Sequence, residues 1–217
     1  MSIKYLQKWN SDYPYKLSAF LGEKAPEQLA ISGPELLNNK ILGIVCSVEC
    51  PGTVIMEGYH FFKKLSRCTV TILSGFHSPM EKECLMSLNY GIATAIWCLA
   101  KPLELFKLSK AFEPMLTTDR IAFLSPFDEK VLRITKDSSV YCNLTVAALS
   151  DELFIPYAKQ KGKCAKLAEQ ALNWSKLIFT LDVPENKWLI NAGAQVIEET
   201  LIESYWPISQ QLDDNIF

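Results

Sequence analysis

An α/β, Rossmann-like three-layer sandwich with a mostly parallel sheet is the fold this sequence predicts, on three observations. Short continuous apolar runs recur along the chain, and most are followed by a stretch whose apolar residues fall at helical spacing. The linkers between runs are short, as in successive βα units. In 151–194 an apolar run enters a basic turn containing Gly162, a helix-like run continues to Trp174, and the apolar run Leu177-Ile178-Phe179-Thr180 follows. That order is a βαβ unit, whose turn at the carboxyl edge of the sheet is the usual place for a ligand or a phosphate.

The elements follow in order. Residues 1–40 form a polar preamble with turn or cap signals at Asp12-Tyr13-Pro14, Ala25-Pro26-Glu27 and Ser32-Gly33-Pro34, expected to pack as an N-terminal extension on the main domain. Residues 41–46 are apolar throughout, as a strand buried on both faces must be. Residues 53–65 have helical spacing, with Ile55, Tyr59, Phe62 and Leu65 on one face. A second strand is expected at 69–73. The next helix, 79–88, has Pro79 in its first turn, where a missing N–H does no harm. A strand at 92–100, a helix at 103–112 and a strand at 121–124 come next, and 117–139 reads as a long exposed crossover. A short apolar helix at 144–149, a strand at 153–156, a helix at 164–173 and a strand at 177–181 complete the regular part. A short helix at 188–190 ends at Ala192-Gly193, and 195–197 reads as an edge strand. The predicted organisation is a main domain over 41–205 with about six or more strands, then a tail over 206–217.

Composition bounds the function. With 49% hydrophobic and 21% charged residues, a net charge of -2 and a pI near 5.8, the chain has no general attraction for polyanions. Any nucleic-acid site must be a local patch. The seven cysteines are scattered, mostly inside apolar runs, with no Cys-x-x-Cys pair and only His60 and His77 beside them. They read as small buried hydrophobes in a reducing compartment, and no zinc site or other metal site is expected. The N-terminus has no apolar signal core, and no run approaches the ~18 apolar residues of a membrane span. The expectation is a cytoplasmic protein with no membrane contact.

The strongest functional candidate is the turn holding Lys159, Lys161, Gly162, Lys163 and Lys166, with no acidic residue among them. A helix N-terminus attracts anions through free N–H groups and the helix dipole, and lysines beside it add long-range attraction. A solvated surface loop fits the same residues equally well. Lys130, Arg133 and Lys136 extend the basic patch in sequence. Ser47 and Ser74-Gly75 end the first two strands, where a hydroxyl can meet a phosphate or ribose, or satisfy its own turn. Asn143 can touch a base or cap a helix. Glu81 and Glu83 stand at i, i+2, do not share a helix face, and read as surface groups. Ser74 and His77 lack the Gly-x-Ser-x-Gly elbow of a catalytic serine. With no activated nucleophile, metal set or acid–base pair, neither catalysis nor a cofactor is expected.

From Tyr13 to Ile197 the order of segments resembles the DNA-processing protein A (Smf) family. The residues that carry it are Tyr13-Pro14, Leu17, Pro26, Leu29, Gly33 and Leu36-Leu37, then Val45-Cys46-Ser47-Val48, Ser74-Gly75 and Pro79-Met80-Glu81. Cys142-Asn143-Leu144 stands for the family's Arg-Asn-Arg and Lys161-Gly162-Lys163 for its Ser-Gly-Ser turn, while Leu189-Ile190-Asn191-Ala192-Gly193-Ala194 keeps its closing motif in full. Cys46 and Val48 replace the glycine and arginine of the first turn, and both arginines around Asn143 are gone. Neither Val nor Leu can fork onto phosphate oxygens as a guanidinium does. The resemblance implies a non-enzymatic homodimer that binds single-stranded DNA and passes it to the RecA recombinase, here with weakened binding. The alternatives are a nucleotide or small-ligand sensor using the same sheet-edge crevice, and a scaffold for partner contact.

Overall fold

The computed structural model describes residues 2–128, 134–198 and 202–208. Lys130 and Arg133, and most of the tail at 206–217, lie outside those residues. The described chain forms one nine-stranded sheet with helices on both faces. β1 (Lys4–Gln7), α1 (Tyr15–Leu21) and β2 (Gln28–Ser32) come from the preamble, which therefore supplies two strands as well as a covering helix. The parallel βα series follows: β3 (Ile41–Ile44), α2 (Gly52–Leu65), β4 (Thr71–Ser74), α3 (Pro79–Asn89), β5 (Thr94–Cys98), α4 (Glu113–Thr117) and β6 (Ile121–Ser125). Then come α5 (Lys136–Leu149), β7 (Glu152–Phe154), α6 (Lys163–Asn173), β8 (Leu177–Thr180), α7 (Lys187–Asn191), β9 (Gln195–Val196) and α8 (Ile202–Tyr205).

Strand order is β1-β2-β6-β5-β4-β3-β7-β8-β9. The pairs β1–β2 and β2–β6 are antiparallel, and all the others are parallel. The chain steps outward from β3 to β6, then returns through α5 to place β7 on the other side of β3. That reversal makes β3/β7 the topological switch point, where a crevice opens at the carboxyl ends of the strands.

Alternation along the strands divides the core into two layers. Leu42, Ile44, Ile72, Phe123, Phe154 and Phe179 pack toward α2 and α3, while Ile41, Val45, Leu73, Leu153 and Ile178 pack toward α1, α5 and α6. Gly43, between Leu42 and Ile44, lies under the end of α5. A Cβ there would sit 2.2 Å from Ser150 Oγ and 2.6 Å from Leu153 Cδ2. Gly43→Ala is therefore expected to cost about 1–3 kcal/mol by overpacking, read as a lower urea midpoint at unchanged m.

Three expectations are corrected. The buried face of α2 is Val54, Gly58, Phe61, Phe62 and Leu65, while Ile55 and Tyr59 are 47% and 45% exposed. The packed stripe runs through Gly58, where Met80 seats its methyl group, so it carries no apolar side chain at that step. Residues 103–112 form two 3-10 turns, Leu103–Leu105 and Lys110–Phe112, instead of a helix. Their apolar residues serve as a coat: Phe106 and Phe112 meet the Trp97 ring at 5.2 and 6.0 Å.

The helix expected at 144–149 begins at Lys136, behind a capping box made by Thr135 and Ser138. Its first turns line the crevice and are polar, which hid them from apolar periodicity. Among the described residues the C-terminal aromatic segment is only partly covered by its own chain, with Tyr205 36% exposed. Ile197, Ile202 and Trp206 are inaccessible, and Tyr205 and Trp206 lie 5.0 and 5.9 Å from the Phe179 ring. Among the described residues no helix is long and apolar enough to cross a membrane.

Candidate ligand crevice at the sheet edge

At the switch point a crevice of about 490 Å³ is walled by the turn after β3, the turn after β4, the first turns of α5 and the turn into α6. The β7–α6 turn is shaped by backbone needs. Lys161 adopts a left-handed φ of 60°, and a Cβ on Gly162 would meet Lys159 O at 2.8 Å. Gly162 then caps α6 without a side chain, so no side chain of the cap bonds the first N–H groups of that helix. Lys161, Lys163 and Lys166 are all exposed there. Lys163 Nζ donates to Lys136 O at 3.2 Å, which draws the start of α5 and its Lys136 to the same rim.

Lys159 differs from its neighbours. Its ammonium pairs with Glu49 at 2.9 Å, an exposed contact that raises the Lys159 pKa and lowers that of Glu49. No acidic residue lies within the turn itself, but Glu49 reaches it from the turn after β3. Ser47 ties the same two turns together: its hydroxyl accepts from Lys159 N–H at 2.9 Å, and its N–H donates to Tyr157 O at 3.0 Å.

The crevice floor is a buried carboxyl. Glu81, 1% exposed, accepts from Cys46 N–H at 2.9 Å through one oxygen, and from His77 N–H at 2.7 Å and Ser78 N–H at 3.4 Å through the other. Glu81 N–H in turn donates to the Ser78 hydroxyl oxygen at 3.2 Å, completing a capping box at the start of α3. Burial pushes the Glu81 carboxyl up, and the N–H donors oppose that rise. Glu81 was expected at the surface, and that is corrected. The signal lay in Ser78-Pro79-Met80-Glu81, which is a capping-box pattern. The carboxylate occupies strand-end N–H groups of the kind that doubly wound sheets often offer to phosphate, so the anion-attracting part of the crevice shifts toward α6.

The other sequence candidates divide. Ser74 is fully buried and its hydroxyl accepts from Phe76 N–H at 3.1 Å, so it serves its own turn and does not line the crevice. Gly75 lies behind the wall: a Cβ there would meet the His77 ring at 2.5 Å and Asn143 Oδ1 at 3.3 Å. Asn143 does line the crevice, as does His77, which the sequence reading set aside. Asn143 Oδ1 and His77 Nε2 are buried with no hydrogen-bond partner among the described residues.

An open, mostly parallel sheet with a crevice at its switch point defines a Rossmann-like α/β fold. The chain belongs to the DNA recombination-mediator protein A family, whose model matches residues 4–211. DNA processing protein A from Streptococcus pneumoniae superposes with a TM-score of 0.76 at 18% identity, covering 94% of this chain and 74% of that one. The Helicobacter pylori protein, described for its single-stranded DNA binding mode, gives 0.74 at 18% identity over 94% and 96%. A molybdenum cofactor binding protein from Rippkaea orientalis gives 0.53 at 13% identity over 77% and 98%. At these identities the likenesses show the fold. No curated protein matches the chain in sequence.

Proposed function

We propose that this protein is a non-catalytic binder of single-stranded DNA in DNA uptake and recombination, and that the strand runs along the crevice rim. The observation that carries this is the exposed cluster Lys136, Lys161, Lys163 and Lys166 around the N-terminus of α6, which has no side-chain cap. The family match, and the description of the Helicobacter pylori relative, support the ligand class. By the same resemblance we propose a cytoplasmic homodimer that delivers the strand to a RecA-type recombinase. Ser47, Asn143, Lys159 and Gly162 shape the crevice on this reading.

A fluorescence-anisotropy titration of oligonucleotide at low salt tests it. Four phosphate contacts at ~0.7 ions released each give a log–log salt slope on the order of -3. Lys161→Glu with Lys163→Glu is expected to abolish binding and leave the melting temperature nearly unchanged, because solvated lysines contribute little to stability. Affinity should be modest, since Cys46, Val48, Cys142 and Leu144 offer no guanidinium. A salt-insensitive affinity, or one that survives the double charge reversal, overturns the reading.

The buried, unpartnered Asn143 Oδ1 and His77 Nε2 favour a second reading, a mononucleotide or small ligand held inside the crevice. A mononucleotide that raises the melting temperature where oligonucleotide fails to bind selects it.

A further inference from the structure

We propose that Cys46 and Cys50 form a reversible disulfide, made by a hydroperoxide, that closes the turn between β3 and α2 on the crevice wall. Their sulfurs already lie 3.3 Å apart. A disulfide needs ~2.05 Å, so closure asks for a shift of about 1.3 Å. The turn between the end of β3 at Ile44 and the start of α2 at Gly52 belongs to neither element, so its backbone can absorb that shift without breaking a ladder or a helix bond.

The two thiols divide the work by exposure. Cys50 is only half-buried and therefore open to a small oxidant, while Cys46 is buried behind it. The hydrogen bond with Cys46 holds the Cys50 thiol below its ordinary range, and that bond, with burial, raises Cys46. Cys50 is thus the thiolate that attacks and Cys46 the thiol that resolves. A second close pair sharpens the contrast. Cys98 and Cys142 have sulfurs 3.1 Å apart, but both are fully buried between β5 and α5. Each also points a thiol at the other's carbonyl, and no oxidant has a path to them.

The chemistry balances with hydrogen peroxide as oxidant. The Cys50 thiolate attacks one peroxide oxygen, the O–O bond breaks, and Cys50 becomes a sulfenic acid with release of hydroxide. Cys46 then loses its proton and attacks the Cys50 sulfur. The S–S bond forms, the S–O bond breaks, and a second hydroxide leaves. The two thiol protons convert both hydroxides to water. The pair has lost two electrons, and a dithiol reductant returns them by exchange.

The test is peroxide treatment of the full chain, alkylation of remaining thiols, and tryptic mapping. Peptide 41–63 carries Cys46 and Cys50 and no other cysteine. It should lose two hydrogen masses and all alkylation, and dithiothreitol should restore both. Amide exchange across 46–51 should slow in the oxidised form. Cys50→Ser should leave Cys46 without a disulfide, while Cys98→Ser should leave the 41–63 disulfide unchanged. Full alkylation of both cysteines after peroxide overturns the proposal, as does a disulfide at Cys98–Cys142 in its place. None of these readouts depends on DNA binding.

Discussion

Glu81→Ala is expected to destabilise the protein by about 3–5 kcal/mol, the loss typical of removing one partner from a buried charged network. The carboxyl is 1% exposed and holds the N–H groups of Cys46, His77 and Ser78. Alanine would leave all three without their acceptor in a site that water can refill only in part. An unmade buried bond costs ~1–3 kcal/mol, and relief of the buried charge offsets some of the sum. Glu81→Gln keeps one acceptor oxygen and turns the other position into a donor facing an N–H, so it should fall between wild type and alanine. Urea denaturation followed by far-UV circular dichroism gives the order. An alanine variant within 1 kcal/mol of wild type would mean that the floor is wetter than the geometry implies, and would remove Glu81 as the tie between the turns after β3 and β4.

The sequence made the parallel half of the fold legible because a strand covered on both faces must be apolar throughout. Residues 41–44 show this fully, and 71–74, 121–125 and 177–180 show it but for Thr71, Ser74, Ser125 and Thr180 at their ends. β1 and β2 escaped because an antiparallel edge needs only alternate apolar residues: Lys4–Gln7 buries one side chain and Gln28–Ser32 three. The start of α5 escaped for a related reason, since its first turns face a crevice and carry Lys136, Ser139 and Asn143 where a core helix would carry apolar residues. The site was legible in its chain positions and less so in its partners. Lysines around Gly162 can be read from a βαβ pattern, but Glu49 pairing with Lys159 links residues 110 positions apart. Cys46 and Cys50 did not stand out, because their spacing matches no metal or redox motif and only the path of the turn brings the sulfurs together.

Alkaline pH is expected to remove on the order of 3–5 kcal/mol of stability between pH 8 and 10, with buried thiols as the cause. Cys84, Cys142 and Cys164 are buried, and burial pushes each thiol above its ordinary range. In the unfolded chain a thiol ionises near pH ~8.5, while in the folded chain these three stay protonated. The unfolded state therefore binds fewer protons, and stability falls as pH rises by up to ~1.4 kcal/mol per unit for each thiol. Below the unfolded pKa the stabilisation is fully present. Cys68, raised to about 11, acts in the same direction.

Lys176 acts the other way. Burial lowers its ammonium to about 8, although Nζ donates to Ala148 O at 3.0 Å, so above that pH the unfolded state holds the extra proton and part of the loss is offset. Urea midpoints at pH 8 and pH 10 in the presence of reductant measure the net effect. Cys84→Ala should flatten the pH dependence and Lys176→Met should steepen it, whatever either does to stability at neutral pH. A stability that holds level to pH 10 in wild type and in Lys176→Met would mean that the three thiols ionise within the folded protein, which a dry core between the sheet and its helices does not allow.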